Sequence, residues 1–370
     1  MSYAQATIAE ARPAPKTVLV TGANGYIGLA VSRAFVRAGW HVYGLVRRAD
    51  AVDTLLAEEI IPVIGAISAD LSFVDNLLSK ATTRPFDVVA SCTEQIPFDE
   101  HWAHLLFLFA KVAHHARSHG AAKPLVLMSS GCKDYGETGR HGDAGLAPHT
   151  EDSPLQPADM LKARTFCTLK VFEHKDLFDA AVIRPTPVYG CGGSYYGVLF
   201  EALRKITAEH RDRNEGAVQL PGHPGNIYHG CHIDDCADAY VALATHPVRA
   251  EVDGECFNIS GHRYETVSDV VAALSAEYGV GITLTRTSEI TKPELQILQV
   301  ILGYTQWVDS TKIRKLTEWT DRRPLFSENL PVYRRAYEAA VRAADASVAR
   351  IRDRIAGWAA SGVTIGSTDA

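Results

Sequence analysis

Several features that would place a protein quickly are missing from this 370-residue sequence. No run of 18 apolar residues occurs, so no membrane-spanning helix is expected. No Cys-x-x-Cys pair occurs among the seven cysteines (Cys92, Cys132, Cys167, Cys191, Cys231, Cys236 and Cys256). Their odd number and wide spacing argue against a disulfide framework and a structural zinc site, and no metal is expected. Reduced thiols in a cytoplasmic protein are the expectation. Surplus positive charge is also missing: 37 Lys and Arg face 43 Asp and Glu, a net charge of −6, which argues against nucleic-acid binding. The opening MSYAQATIAEARPAPK has no apolar signal core and reads as a disordered leader over residues 1–16. No internal repeat is present. None of the 14 tyrosines is followed four residues later by lysine.

What is present is an alternation. Apolar runs at 17–20, 41–46, 61–64, 87–91 and 125–128 read as strands, with helices at about 50–58, 73–81 and 101–119 between them. This pattern predicts an α/β fold, a Rossmann-type doubly wound parallel sheet. The helix at 101–119 is apolar around most of its circumference, and burial on more than one side is expected, against the sheet and a second copy in a homodimer. After residue 184 loops dominate. A strand is expected at 256–259, a helix after Thr266, and one long covering helix over 331–358 before a fraying tail. The domains expected are a dinucleotide-binding unit at 17–184 with returning segments near 230–260, and a smaller interleaved substrate-binding region at 185–229 and 261–345. A helix end and tail follow at 346–370.

The turn TGANGYIG sets Gly22, Gly25 and Gly28 three residues apart between a strand and a helix. The first glycine allows the tight turn, the second lets backbone approach a pyrophosphate, and the third lets helix pack on strand. The phosphate would sit at the helix N-terminus. Cofactor contacts are expected from Gly22, Asn24, Gly25, Tyr26, Ile27 and Gly28, and farther on from Ser91, Cys92, Pro185 and Val188. At the end of the second strand, where an NAD enzyme keeps a carboxylate, the chain reads Val46-Arg47-Arg48. Two guanidinium groups suit a 2′-phosphate, so NADP(H) is the expected cofactor.

These residues resemble the extended short-chain dehydrogenase/reductase superfamily, the group that holds NAD-dependent epimerases and dehydratases. Further similarity lies in Asp70-Leu71, in the place of an adenine contact, in HTEDSPLQP (149–157), IRPTPVYG (183–190), HIDDCADAY (232–240) and VDSTKIRKLTEW (308–319). The resemblance implies a Tyr-x-x-x-Lys pair on the helix after HTEDSPLQP, and this chain departs from it. The segment reads PADMLKARTFCTLK, which leaves Ala158 with Lys162 in one frame and Phe166 with Lys170 in another. Neither alanine nor phenylalanine can donate a proton.

The loop SSGCKDYG (129–136) follows the fifth strand, at the sheet edge where such folds bind ligands. Counted from the strand, Ser130 falls at the superfamily's catalytic serine; counted back from Tyr135-Gly136, Gly131 does. The loop also resembles that of progesterone-5β-reductase/iridoid-synthase-like enzymes, which implies an active-site role for Lys133. Ser130, Lys133 and Tyr135 are therefore the expected catalytic residues. Tyr189, Tyr195, Tyr196, Tyr228 and His232 are expected around a small substrate. The stretch Ile227-Tyr228-His229-Gly230 lacks the Arg-Asp pair of sugar-nucleotide enzymes, which points to a weakly charged substrate. Three functions stay open: an NADP(H)-dependent reductase of a carbonyl or enone, an epimerase or dehydratase with a recycled cofactor, and a non-redox protein on the same fold.

Overall fold

The computed structural model describes residues 15–80, 84–213, 217–286, 289 and 298–360. The expected leader up to residue 14 and the tail after 360 lie outside them.

Seven parallel strands form the central sheet: β1 (Thr17–Thr21), β2 (His41–Val46), β3 (Ile61–Ile64), β4 (Val88–Ser91), β5 (Leu125–Ser129), β6 (Asp179–Pro185) and, later in the chain, Glu255–Ile259. Their spatial order is β3-β2-β1-β4-β5-β6 with Glu255–Ile259 outermost beside β6. Val18 pairs with Val42 on one side and Val88 on the other, so the order reverses between β1 and β4. That reversal opens a crevice at the carboxyl ends of the two strands. β4 starts one residue later than expected, at Val88, and Asp87 before it accepts from the Thr17 amide through its carboxylate at 2.7 Å.

Helix α1 (Tyr26–Arg37) packs one sheet face together with a later helix, Ile233–Thr245, burying Val31, Phe35, Tyr240 and Leu243. α2 (Val52–Ala57) lies on the same face, its Leu55 in that core, and the other face takes α3 (Ser72–Leu78), α4 (Phe98–Ser118) and α5 (Asp159–Leu169), with Val74, Trp102, Leu105 and Phe109 buried. Helix α4 packs on the sheet and also against α3 and α5. Its Phe107, His114 and Arg117 point outward, because its outer positions alternate apolar with polar residues.

A second core joins the segments after residue 185. It is aromatic, built by Tyr189, Tyr196, Phe200, Tyr228, Phe326, Tyr333 and Tyr337. The elements after β6 are β7 (Val188–Tyr189), α6 (Gly197–Arg213), β8 (Val218–Pro221), β9 (Ile227–Tyr228), β10 (Cys231–His232), α7 (the Ile233–Thr245 helix, on the sheet), β11 (the Glu255–Ile259 strand, in the sheet), β12 (Glu265–Thr266), α8 (Val267–Tyr278) and β13 (Ile282–Thr285). Thr266 caps α8 as expected, in a reciprocal capping box with Asp269.

The single C-terminal helix expected over 331–358 is two. After α9 (Gln299–Leu302) and α10 (Thr311–Thr317), α11 (Leu330–Arg342) ends, Ala344 takes a left-handed φ of 53°, and α12 (Ala346–Ala360) starts in a new direction. Asp345 drives the restart by accepting from the Ser347 amide at 2.8 Å. The break carries α12 back across the crevice at the sheet's carboxyl edge.

Candidate functional site

A cavity of about 600 Å³ opens in that crevice, a size suited to a cofactor or metabolite. Its floor is the glycine turn, with Gly22, Asn24, Gly25, Tyr26 and Ile27 on the wall. Gly22 has φ +66°, which a side chain would strain. Gly28 is off the wall and serves the packing beneath it: a Cβ there would come 2.1 Å from the Gly22 carbonyl. The turn can therefore offer bare amides at the N-terminus of α1 to an anion. One end of the cavity carries Val46, Arg47 and Arg48 with Gly65 and Ile67. Asp70 and Leu71, expected here, are not on the wall. Asp70 is exposed and accepts from the Ser72 amide at 2.9 Å, which starts α3, and Leu71 is buried in the core.

The other end holds Cys92, Thr93, Glu94, Gln95, Val188 and Tyr195. Burial pushes the Cys92 thiol up to about 12, so it stays protonated. Ser91 and Pro185 are buried in strands just below. The remaining wall is α12, through residues that include Ser347, Arg350 and Arg354. Arg354 donates to the Tyr195 hydroxyl at 3.1 Å and stands 3.7 Å from Glu94. Burial raises the Tyr195 pKa, while the Arg354 charge and hydrogen bond pull it down. No motif in the sequence marked Glu94 or any α12 residue for this cavity. The only available sign was the charge density of the last helix.

The loop after β5 is built differently. Asp134 is fully buried at its centre and accepts from Ser130 Oγ (2.5 Å), Arg164 Nη2 (2.7 Å) and Thr165 Oγ1 (2.7 Å), with Arg184 Nε at 3.4 Å. Tyr135, 1% exposed, donates to Asn258 Oδ1 at 2.8 Å and accepts from Arg184 at 2.9 Å. Gln306 donates to the carbonyls of Cys132 and Gly136, which pins the loop from a distant segment. Lys133 is half-buried, its ammonium 4.1 Å from the centre of the Tyr304 ring. Burial lowers its pKa to about 8, against the attraction of Glu137. None of Ser130, Lys133 and Tyr135 lines the cavity. The structure thus joins Ser130 and Tyr135 in one network that spends both hydroxyls, while Lys133 stands apart from it against Tyr304.

Helix α5 explains both readings of its missing pair. Ala158, Lys162, Phe166 and Lys170 are all exposed; Phe166 is 50% exposed and Lys162 pairs with Asp159 at 2.5 Å. The face turned to the loop carries Arg164 and Thr165, with Leu161 one turn before Thr165. No phenol stands on that face.

Of the residues expected around a substrate, Tyr195 alone lines the large cavity. Tyr189, Tyr196 and Tyr228 are buried in the aromatic core, where Tyr196 lies 4.7 Å from Tyr228 and 4.6 Å from Phe326 between ring centres. Adjacent tyrosines in a tight turn point to opposite sides, which separates Tyr195 from Tyr196. His232 is buried as the N-cap of α7, its Nδ1 accepting from the Asp234 amide at 3.2 Å; burial lowers its pKa to about 4. Among the described residues one trio, Cys191, His232 and Asp234, has a metal-like arrangement, with ligand atoms within 4.8 Å of one another. Two of its members are already engaged, His232 by the Asp234 amide and Asp234 by Arg323 at 3.0 Å.

Comparisons follow the same geometry. A family model described as the NAD dependent epimerase/dehydratase family matches residues 18–260, more than half of the chain. No curated protein matches. Among solved structures, UDP-glucuronic acid 4-epimerase from Bacillus cereus in complex with NAD is 15% identical over 87% of this chain and 96% of that one, with a TM-score of 0.61. UDP-glucose 4-epimerase from Thermotoga maritima with UDP-glucose is 18% identical over 88% and 99%, with a TM-score of 0.59. The terminal R domain from the myxalamid PKS-NRPS biosynthetic pathway is 18% identical over 90% and 91%, with a TM-score of 0.62. At these identities the solved structures establish the fold. No helix of the described residues is long and apolar enough to cross a membrane. With the glycine turn, the seven-stranded parallel sheet and the family match in agreement, the chain belongs to the NAD-dependent epimerase/dehydratase family, within the extended short-chain dehydrogenase/reductase superfamily.

Proposed function

We propose that this chain is an NADP(H)-dependent oxidoreductase that reduces a carbonyl or enone of a small, weakly charged molecule, with Tyr195 as the proton donor. The observation that carries this reading is one continuous cavity, with Arg47 and Arg48 at one end, the glycine turn in the middle and Tyr195 at the other. A dinucleotide fits that donor set: guanidinium groups for a 2′-phosphate, bare amides for a pyrophosphate, and an apolar Val188–Cys92 surface for a flat ring. When bound, the cofactor supplies the hydride.

The protein's part is the proton. Tyr195 holds its hydroxyl at the cavity wall, and Arg354 donates to it rather than accepting from it. The phenol proton can pass to the substrate oxygen, or to the α-carbon of an enone, and the guanidinium stabilises the phenolate left behind. Solvent then reprotonates Tyr195. The pair has the chemistry of a tyrosine backed by a cation, with arginine from α12 in the role that lysine plays in Tyr-x-x-x-Lys. Ser130 and Tyr135 have a supporting role in this reading, through the Asp134 and Arg184 network that fixes the β5 loop. The seven unpaired thiols support a reducing, cytoplasmic setting.

Titration with both dinucleotides tests the cofactor; tighter binding of NADPH than NADH is expected, and the reverse would remove NADP(H). The enclosure of the cavity by α12 favours one second reading, an epimerase or dehydratase that retains its cofactor. Stoichiometry separates the two: a reductase consumes one NADPH per product, whereas an epimerase turns over with none consumed.

A further inference from the structure

Helix α12 lies beyond the span matched by the family, residues 18–260, yet it forms one wall of the cavity. Arg350 stands on that wall and donates to the Asn24 carbonyl, within the glycine turn, at 2.6 Å. Arg47 and Arg48 stand across from it at the end of β2. Among the described residues neither Arg47 nor Arg350 forms an ion pair with a carboxylate, and Arg48 reaches only the exposed Asp50, at 3.1 Å. Burial disfavours the Arg350 cation, and the charges of Arg48 and Arg47 add to that, against the attraction of Asp345 and Asp50. Three guanidinium groups gathered at one end of a cavity repel one another until an anion enters between them. A phosphate monoester, with close to two negative charges and three acceptor oxygens, matches three planar donor forks.

We propose that Arg350 is the third arginine of a 2′-phosphate site, closing on the cofactor from α12 opposite Arg47 and Arg48. The inference rests on the NADP(H) reading above. It makes the cofactor preference a property of the C-terminal helix as well as of the β2 end, and it gives the break at Ala344 a purpose, since it turns this arginine inward.

Equilibrium titration of NADPH and of NADH, followed by protein fluorescence or calorimetry, tests it without reference to turnover. Arg350→Gln keeps a donor for the Asn24 carbonyl and removes the charge. It is expected to weaken NADPH at least tenfold while NADH changes less than threefold, and Arg350→Lys is expected to recover part of the loss. Arg352→Ala serves as the control for helix docking, because Arg352 pairs with Glu201 away from the arginine group; its ratio of NADPH to NADH affinity should equal wild type. Equal losses for both dinucleotides in Arg350→Gln, or no loss, overturn the assignment while the wild-type NADPH preference stands. A wild type that prefers NADH, or binds neither, overturns the underlying cofactor reading and this assignment with it.

Discussion

The turn after β1 and the loop after β5 occupy comparable places, each leaving a parallel strand at the carboxyl edge of the same sheet. They are built in opposite ways. The first has little side chain, and Gly22, Asn24 and Gly25 line the cavity. The second is rich in donors, and nearly every one is spent on Asp134, Arg184 or Asn258. Position at the sheet edge therefore does not make a residue catalytic. What matters is whether its polar groups remain available once the fold has satisfied its own buried charges.

The largest effect that would break this comparison is at the centre of the loop. Asp134→Ala leaves Arg164 and Arg184 buried without their counter-ion, and a loss of about 3–5 kcal/mol in unfolding free energy by urea titration is expected. A loss under about 1 kcal/mol would mean that the network is not what holds the loop. The paired tyrosines come next. Tyr195→Phe should lower turnover at least ~100-fold with dinucleotide binding unchanged. Tyr135→Phe should cost about 1–2 kcal/mol of stability and leave turnover close to wild type. Reversal of that pattern would return the chemistry to the β5 loop.

A smaller effect concerns Lys133. Its folded pKa of about 8 lies below its ordinary 10.5, so between those values the unfolded chain binds more protons than the folded one. Stability from this group therefore rises with pH across that window and is lower below it. The urea midpoint of wild type should show that rise against Lys133→Met, and parallel profiles would remove the buried-lysine interpretation. The smallest effects belong to the outer face of α5: Lys162→Ala and Phe166→Ser should each stay within ~0.5 kcal/mol and near wild-type turnover. A large loss of activity in either would restore one of the two frames read from the sequence.

Much of the fold was legible because its signals are local. Five strands and the helices between them followed from apolar runs, and the glycine turn from spacing between a strand and a helix. The direction of individual side chains was less legible. Tyr195 and Tyr196 look alike in sequence, yet one lines the cavity and the other packs on Phe326. Tyr135 looked like an available phenol because its partners, Asn258 and Arg184, lie 123 and 49 residues away. The α12 wall was invisible for a similar reason: a charged helix near the C-terminus reads as a covering helix, and the Ala344 turn that redirects it has no glycine to announce it.

The sequence by itself determined the parallel α/β sheet, the place of the anion-binding turn, the arginines at the end of β2 and the loss of Tyr-x-x-x-Lys. Each of these is a matter of periodicity, spacing or residue identity within a few turns of chain. Tertiary structure alone decided which hydroxyls remain for chemistry and that the last helix completes the site. Those outcomes depend on how buried charges find partners across the whole chain, and no local pattern encodes that.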